Sequence, residues 1–178
     1  MPAAILLIVD VQERLFNAMD ADRRDEMIKN IKILAQTATR LGLPIVVTEQ
    51  YPKGLGGTLP ELRELLRDVR PFEKTAFSCC GADGFVERLR ATGAEHVVVA
   101  GMEAHVCVLL TTLDLLRGGY RVTVAADAVC SRTRANADVG LAEARQAGAV
   151  VSSTETIVFR WLGRADTDVF REISKLLR

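Results

Sequence analysis

The chain has 178 residues, 49% apolar and 26% charged, which suits one domain spanning residues 1–178 with ample material for a core. Its 23 basic and 23 acidic side chains cancel to zero net charge, and no basic run interleaved with aromatics is present, so nucleic acid is not an expected partner. The opening apolar run is too short to span a bilayer and lacks a basic lead or cleavage site, so a soluble, cytoplasmic protein without a membrane partner is expected.

Strand-like and helix-like segments alternate. Ala3 to Val9 is a continuous apolar run closed by Asp10, the pattern of a strand buried on both faces. Asp10-Val11-Gln12-Glu13 also has the form of a capping box, so Asp10 is either a helix cap or a site residue at a strand end. Arg23 to Leu41 carries Met27, Ile31, Leu34, Ala35 and Ala38 at helical spacing, with Gly42 as its stop. Leu43 to Thr48 predicts the second strand. Glu49 to Thr58 is a glycine-rich loop, and Thr58 is the expected N-cap of a short helix. Phe72 to Phe77, a weak third strand, carries Lys74. A helix over Gly81 to Thr92 precedes a strand over Glu95 to Ala100, then a helix over Ala104 to Arg117 stopped by Gly118-Gly119. A strand over Arg121 to Ala126, a helix over Ala135 to Ala147, a strand over Ala149 to Ser152 and closing helices over Thr154 to Leu162 and Asp166 to Leu177 complete the pattern. Such alternation argues for a parallel sheet covered on both faces, with ligands at the carboxyl ends of the strands.

That rule gathers Asp10, the Gln50 loop, Lys74 and Cys107 along one edge. Cys107 follows the run Val97 to Ala100 and opens a helix, where the helix dipole is expected to lower a thiol pKa. A small buried hydrophobe is the competing assignment. A carboxylate to take the thiol proton and an ammonium to hold both anions make chemical sense of Asp10 and Lys74 beside it. The other four-cysteine chemistries have less support. Cys79, Cys80, Cys107 and Cys130 form neither a disulfide framework nor a zinc spacing. Gly54, Gly56 and Gly57 do not make a dinucleotide fingerprint. His96, just before a strand, is expected at the surface, and His105 is a pocket wall or proton partner. Asp114 and Asp127 are expected on a helix surface and at an N-cap, and Trp161 in the core or at a subunit contact.

Three ordered motifs carry a resemblance. Ile8-Val9-Asp10-Val11-Gln12, Lys74-Thr75-Ala76-Phe77-Ser78 and Gly101-Met102-Glu103-Ala104-His105-Val106-Cys107-Val108 resemble the isochorismatase-like cysteine hydrolase superfamily, and Asp127 to Arg132 also fits. The segment Thr48 to Gly56 is similar to the isochorismatase domain-containing protein subgroup. The resemblance implies a Rossmann-like three-layer α/β/α fold with a six-stranded parallel sheet. It implies a triad of Asp10, Lys74 and Cys107, and a cis peptide between Met102 and Glu103 that turns the N–H groups of Glu103 and Cys107 into an oxyanion hole. Gln12, Phe16, Gln50, Tyr51, Phe77 and His105 are candidates for the substrate pocket. Amide-cleaving relatives often carry threonine and aspartate where this chain has Ala104 and His105. Residues 50–58 contain no histidine or aspartate of the kind nicotinamidases use for a metal, so neither a metal nor any other cofactor is expected. The implied activity is cleavage of a small amide-like C–N bond through a thioester, by a homo-oligomer whose partner is a small-molecule substrate. The alternatives are a binding or scaffolding protein on the same fold, vinyl ether hydrolysis of the isochorismatase type, and a redox-sensing thiol.

Overall fold

The computed structural model describes residues 4–177. Six strands form one sheet: β1 (Ala4–Val9), β2 (Ile45–Gln50), β3 (Phe72–Lys74), β4 (His96–Met102), β5 (Arg121–Cys130) and β6 (Val150–Ser152). Their order is β3-β2-β1-β4-β5-β6, and every neighbouring pair is parallel. The chain winds outward from β1 in one direction through β2 and β3, then returns to the other side of β1 for β4. The order therefore reverses between β1 and β4, and a crevice opens there at the carboxyl ends of the strands.

The main helices are α1 (Glu13–Asn17), α2 (Ala21–Arg40), α3 (Pro52–Leu55), α4 (Pro60–Leu65), α5 (Phe85–Ala91), α6 (Leu109–Arg117), α7 (Arg134–Gln146), α8 (Thr154–Leu162) and α9 (Asp168–Ile173). Period-2 alternation divides β1 between two cores. Leu6 and Ile8 pack with Met27, Ile31 and Leu34 of α2 and with Ile157 and Trp161 of α8. Ile5, Leu7 and Val9 pack with Phe85 of α5, Leu115 of α6 and Ala137 of α7. This is the three-layer architecture with a six-stranded parallel sheet. No described helix is long and apolar enough to cross a membrane.

The differences from the sequence expectations have local causes. Ala3 lies outside the described residues. α2 begins two residues early because the Asp20 carboxylate accepts from Asp22 N. Thr58 does not cap α4: Leu59 stands at the N-cap, Pro60 starts the helix, and the Thr58 hydroxyl donates to Glu49 Oε1 at 2.6 Å. The short helices α1 and α3 are too brief to leave a period in the sequence. β2 runs on to Gln50, β3 stops at Lys74, and β4 runs on to Met102. Helix α5 starts at Phe85, after a separate turn over Cys79–Gly81. β5 passes Asp127 because its pairing with β4 shifts register: Val99 pairs with Val124 but Gly101 with Val129. Within that irregularity Asp127 Oδ1 accepts from Thr154 N and Oγ1 at 2.7 and 2.8 Å, fastening the start of α8. His96 is half-buried rather than at the surface, and its Nε2 shares a hydrogen bond with Thr123 Oγ1 at 2.8 Å. Trp161 is buried in the protomer core.

Candidate active site

Asp10, Lys74 and Gln50 sit where strands of the sheet end. Asp10 directly follows β1 at φ 52°, a left-handed conformation that aspartate tolerates better than most residues. Its backbone N–H donates to Thr48 O, and its side chain is fully buried. Asp10 is not a helix cap. Thr48 donates to its Oδ1 at 2.6 Å, and Lys74 Nζ donates to its Oδ2 at 2.7 Å. Lys74 is the last residue of β3, in register with Gln50 at the end of β2. Its ammonium also meets Gln50 Oε1 at 2.6 Å and the carbonyls of Ala76 and Phe77 at 3.1 Å each. Four acceptors around three protons leave the cation no freedom to turn away.

The third group arrives across the reversal of strand order. β4 packs against β1 so closely that a Cβ on Gly101 would lie 2.1 Å from Val9 O, and Gly101 has φ 119°. Only glycine fits there. After β4 the Met102–Glu103 peptide is cis. The chain then makes a wide turn over Ala104–Val108, in which Val106 N and Val108 N both donate to Glu103 O. Wide turns of this kind are frequent at functional sites. Cys107 lies in the turn with 6% of its surface exposed. The turn is tied to the loop after β5: Glu103 Oε2 accepts from Arg132 Nε at 2.9 Å, and His105 Nδ1 shares a hydrogen bond with Ser131 Oγ at 3.0 Å.

The electrostatics reverse one expectation. Burial pushes the Cys107 thiol up to about 12, the charge of Asp10 adds to that, and Lys74 offsets only part of it. The closeness of the Asp10 side chain and of Cys79 raises it further. The helix start was expected to lower this pKa; loss of water and a facing carboxylate outweigh it. The resting group is a thiol beside a carboxylate, not a standing thiolate.

The pocket candidates separate. Gln12 is fully buried and donates both amide hydrogens, to Gln50 O at 3.0 Å and Gly56 O at 2.6 Å, while its Oε1 accepts from Gln50 N. It ties the loop after β2 rather than facing a ligand. Phe16 lies on α1 with the Arg24 guanidinium 5.3 Å from its ring centroid. Gln50 holds Lys74, and its Nε2 donates to Thr75 O. Tyr51, at φ 38° and 54% exposed, borders a cleft of about 440 Å3 beside Lys74, with Ala76 and the charged Lys53, Glu73 and Asp83. Asp10 and Cys107 do not line this cleft. Phe77 is 60% exposed. Sequence reasoning gave neither Thr48 nor Cys79 a place beside Asp10. Cys79 is buried, its sulfur 3.7 Å from Thr48 Oγ1, and its thiol is likewise pushed up to about 12, mainly by burial. A threonine inside the apolar run of β2 was the available signal, because a buried hydroxyl requires a partner. Among the described residues, no group of three or more His, Cys, Asp or Glu side chains is arranged to hold a metal ion.

The isochorismatase domain pattern matches residues 4–156, most of the chain. The chain belongs to the isochorismatase family. Isochorismatase domain-containing protein 2 from Xenopus laevis is 33% identical over 175 residues, which cover 98% of this chain and 83% of the relative. The subgroup suggested by Thr48 to Gly56 is thus the right one. A solved MAR1 ribonuclease from Caenorhabditis elegans superposes with a TM-score of 0.92 at 36% identity, covering 99% of this chain and 91% of that one. YcaC from Pseudomonas aeruginosa, solved with hexane-2,5-diol and covalent acrylamide, superposes with a TM-score of 0.89 at 27% identity over 96% of this chain and 87% of that one. Membership of this family of hydrolases agrees with the arrangement of an acid, a cation and a thiol around the reversal of strand order.

Proposed function

We propose that the chain is a cysteine hydrolase that cleaves a small amide-like C–N bond through a thioester. One observation carries the proposal: a fully buried Asp10–Lys74 ion pair whose carboxylate faces the Cys107 thiol. With the thiol pushed up to about 12, it rests protonated at neutral pH, so attack requires a base at the sulfur. Asp10 takes the proton as the sulfur bonds to the carbonyl carbon. The N–H groups of Glu103 and Cys107 receive the oxyanion, each such donor typically lowering the barrier by about 3 kcal/mol. Collapse breaks the C–N bond, and Asp10 protonates the leaving amine. Asp10 then takes a proton from water, hydroxide adds to the thioester, and the sulfur leaves and regains its proton. Lys74 anchors Asp10 and balances its charge throughout. A homo-oligomer belongs to this proposal, supported by the exposed rings of Tyr51 and Phe77, and light scattering tests it.

The test is a panel of primary amides, ureido acids, isochorismate and an RNA oligonucleotide. RNA is included because of the ribonuclease relative; the zero net charge argues against it. The expected result is turnover of an amide or ureido acid, an acyl adduct on Cys107 in rapidly quenched intact-mass spectra, and loss of both in Cys107→Ala. Full amide turnover by Cys107→Ala would overturn the covalent route. The low exposure of Cys107 favours a second reading, a binding protein on the hydrolase fold. That reading predicts no adduct from any substrate, and no alkylation by acrylamide faster than that of an unfolded control.

A further inference from the structure

At the end of the sheet opposite Asp10, on the face covered by α2 and α8, packing leaves a slot of about 180 Å3. Its origin is legible in the register. Ala4 pairs with His96, and Val98 with Thr123, so these four side chains lie side by side on one face. Further along β1 that face is filled by Leu6 and Ile8, but Ala4 offers only a methyl group. Ile157 and Trp161 of α8 form the opposite wall, with Arg160 beside them. The floor is therefore apolar, and its two polar side chains, His96 and Thr123, hydrogen-bond each other.

The surroundings are cationic. Arg121 is the register partner of His96, and its charge and that of Arg160 both act on the imidazole, adding to the burial that lowers its pKa. Among the described residues neither guanidinium takes part in an ion pair. Arg160 on the lining, with Arg121 next to His96 in register, gives a small apolar cavity a cationic edge and defines a ligand by chemistry. An apolar cavity of about 150 Å3 accepts benzene, whereas drug-sized ligands occupy about 300 Å3 or more. Guanidinium is the side chain best shaped to grip a carboxylate.

We propose that this slot binds a small organic monoanion, an aromatic or short-chain carboxylate, with its hydrocarbon body against Trp161 and Ile157 and its carboxylate on Arg160. The site is separate from Asp10, which lies about 20 Å along β1 at roughly 3.3 Å per residue. It thus stands whether or not the hydrolase proposal holds.

The test uses the full chain with benzoate as probe and benzyl alcohol as its uncharged counterpart, followed through the NMR signals of the His96 ring and the Trp161 indole. The expected result is saturable shifts of both signals with benzoate, at least tenfold weaker binding of benzyl alcohol, and at least tenfold weaker benzoate binding in Arg160→Met. Arg160 is exposed, so its replacement leaves the fold intact, as far-UV circular dichroism will verify. A slot-filling Ala4→Val should abolish the shifts. No saturable shift of either signal up to about 20 mM benzoate, equal binding of the two probes, or unchanged binding in Arg160→Met would each overturn the proposal.

Discussion

Gly140 is where a single methyl group separates two opposing effects. It lies in α7, whose interior favours alanine over glycine by about 1 kcal/mol on propensity alone. A Cβ built there would stand 2.6 Å from Ala104 O, 2.7 Å from His105 Cα and 2.8 Å from Ala104 C. These are backbone atoms of the turn that carries Cys107, so no flexible side chain can yield. Restoring ordinary contact at 3.4 Å requires about 0.8 Å of movement between helix and turn. Overpacking of this kind costs about 1–3 kcal/mol, so Gly140→Ala should lose up to about 2 kcal/mol net. For a chain this long that is a fall in melting temperature of several degrees, about 2–4 °C per kcal/mol. With Cys107 as the proposed nucleophile, the kinetic effect should exceed the thermal one, because displacing a reacting group by about 1 Å costs on the order of 100-fold in rate. Calorimetry measures the first, and kcat/KM on the identified substrate the second. A melting temperature equal to or above that of the parent, with unchanged kcat/KM, would mean that α7 does not brace the turn.

Lys74→Met keeps the length of the side chain and removes its charge. It leaves Asp10 buried without its cation, which should cost about 3–5 kcal/mol in urea unfolding and abolish turnover; a loss below about 1 kcal/mol would contradict a tightly paired carboxylate. The raised thiols set a pH dependence. A group whose folded pKa exceeds its unfolded value gives stability that is present below the unfolded pKa, about 8.5 for cysteine, and lost as pH rises towards the folded one. With Cys79 and Cys107 each raised to about 12, stability should fall between about pH 8.5 and 12 by roughly 1.4 kcal/mol per pH unit for each thiol. Urea midpoints at pH 8 and 10 should therefore converge in Cys107→Ala relative to the parent; parallel pH profiles would contradict the assignment. Gly101→Ala should prevent folding to the native sheet, judged by insoluble expression or lost near-UV dichroism, because a Cβ there meets Val9 O at 2.1 Å with φ at 119°.

The fold was legible because burial on both faces writes itself as unbroken apolar runs, and β1 and β4 are the two most continuous of them. Alternation with helices then fixed a parallel sheet, and a parallel sheet directs strand ends to one edge, where Asp10, Lys74 and the Cys107 turn lie. Short elements such as α1, α3 and the Cys79–Gly81 turn escaped, since three to five residues carry no period. The slip of β5 past Asp127 escaped for another reason: a polar residue in a strand reads as its end unless a distant partner, here Thr154, is known.

The charge state of the sulfur was the least legible feature, and for a physical cause. Local sequence places Cys107 near a helix start, which argues for a thiolate. The decisive quantities are how much water the turn excludes and which charge lies nearer, and both depend on β1, β3 and β4 converging from positions up to 97 residues apart in the chain, from Asp10 to Cys107. Asp10 raises the thiol as surely as Lys74 lowers it, so the pair cannot hold a permanent anion at the sulfur. It can accept a proton at the moment of attack. Under the proposed mechanism, the same buried carboxylate that suppresses the resting thiolate would generate it on demand, which would limit reactivity towards stray electrophiles to molecules held long enough for proton transfer and attack to coincide.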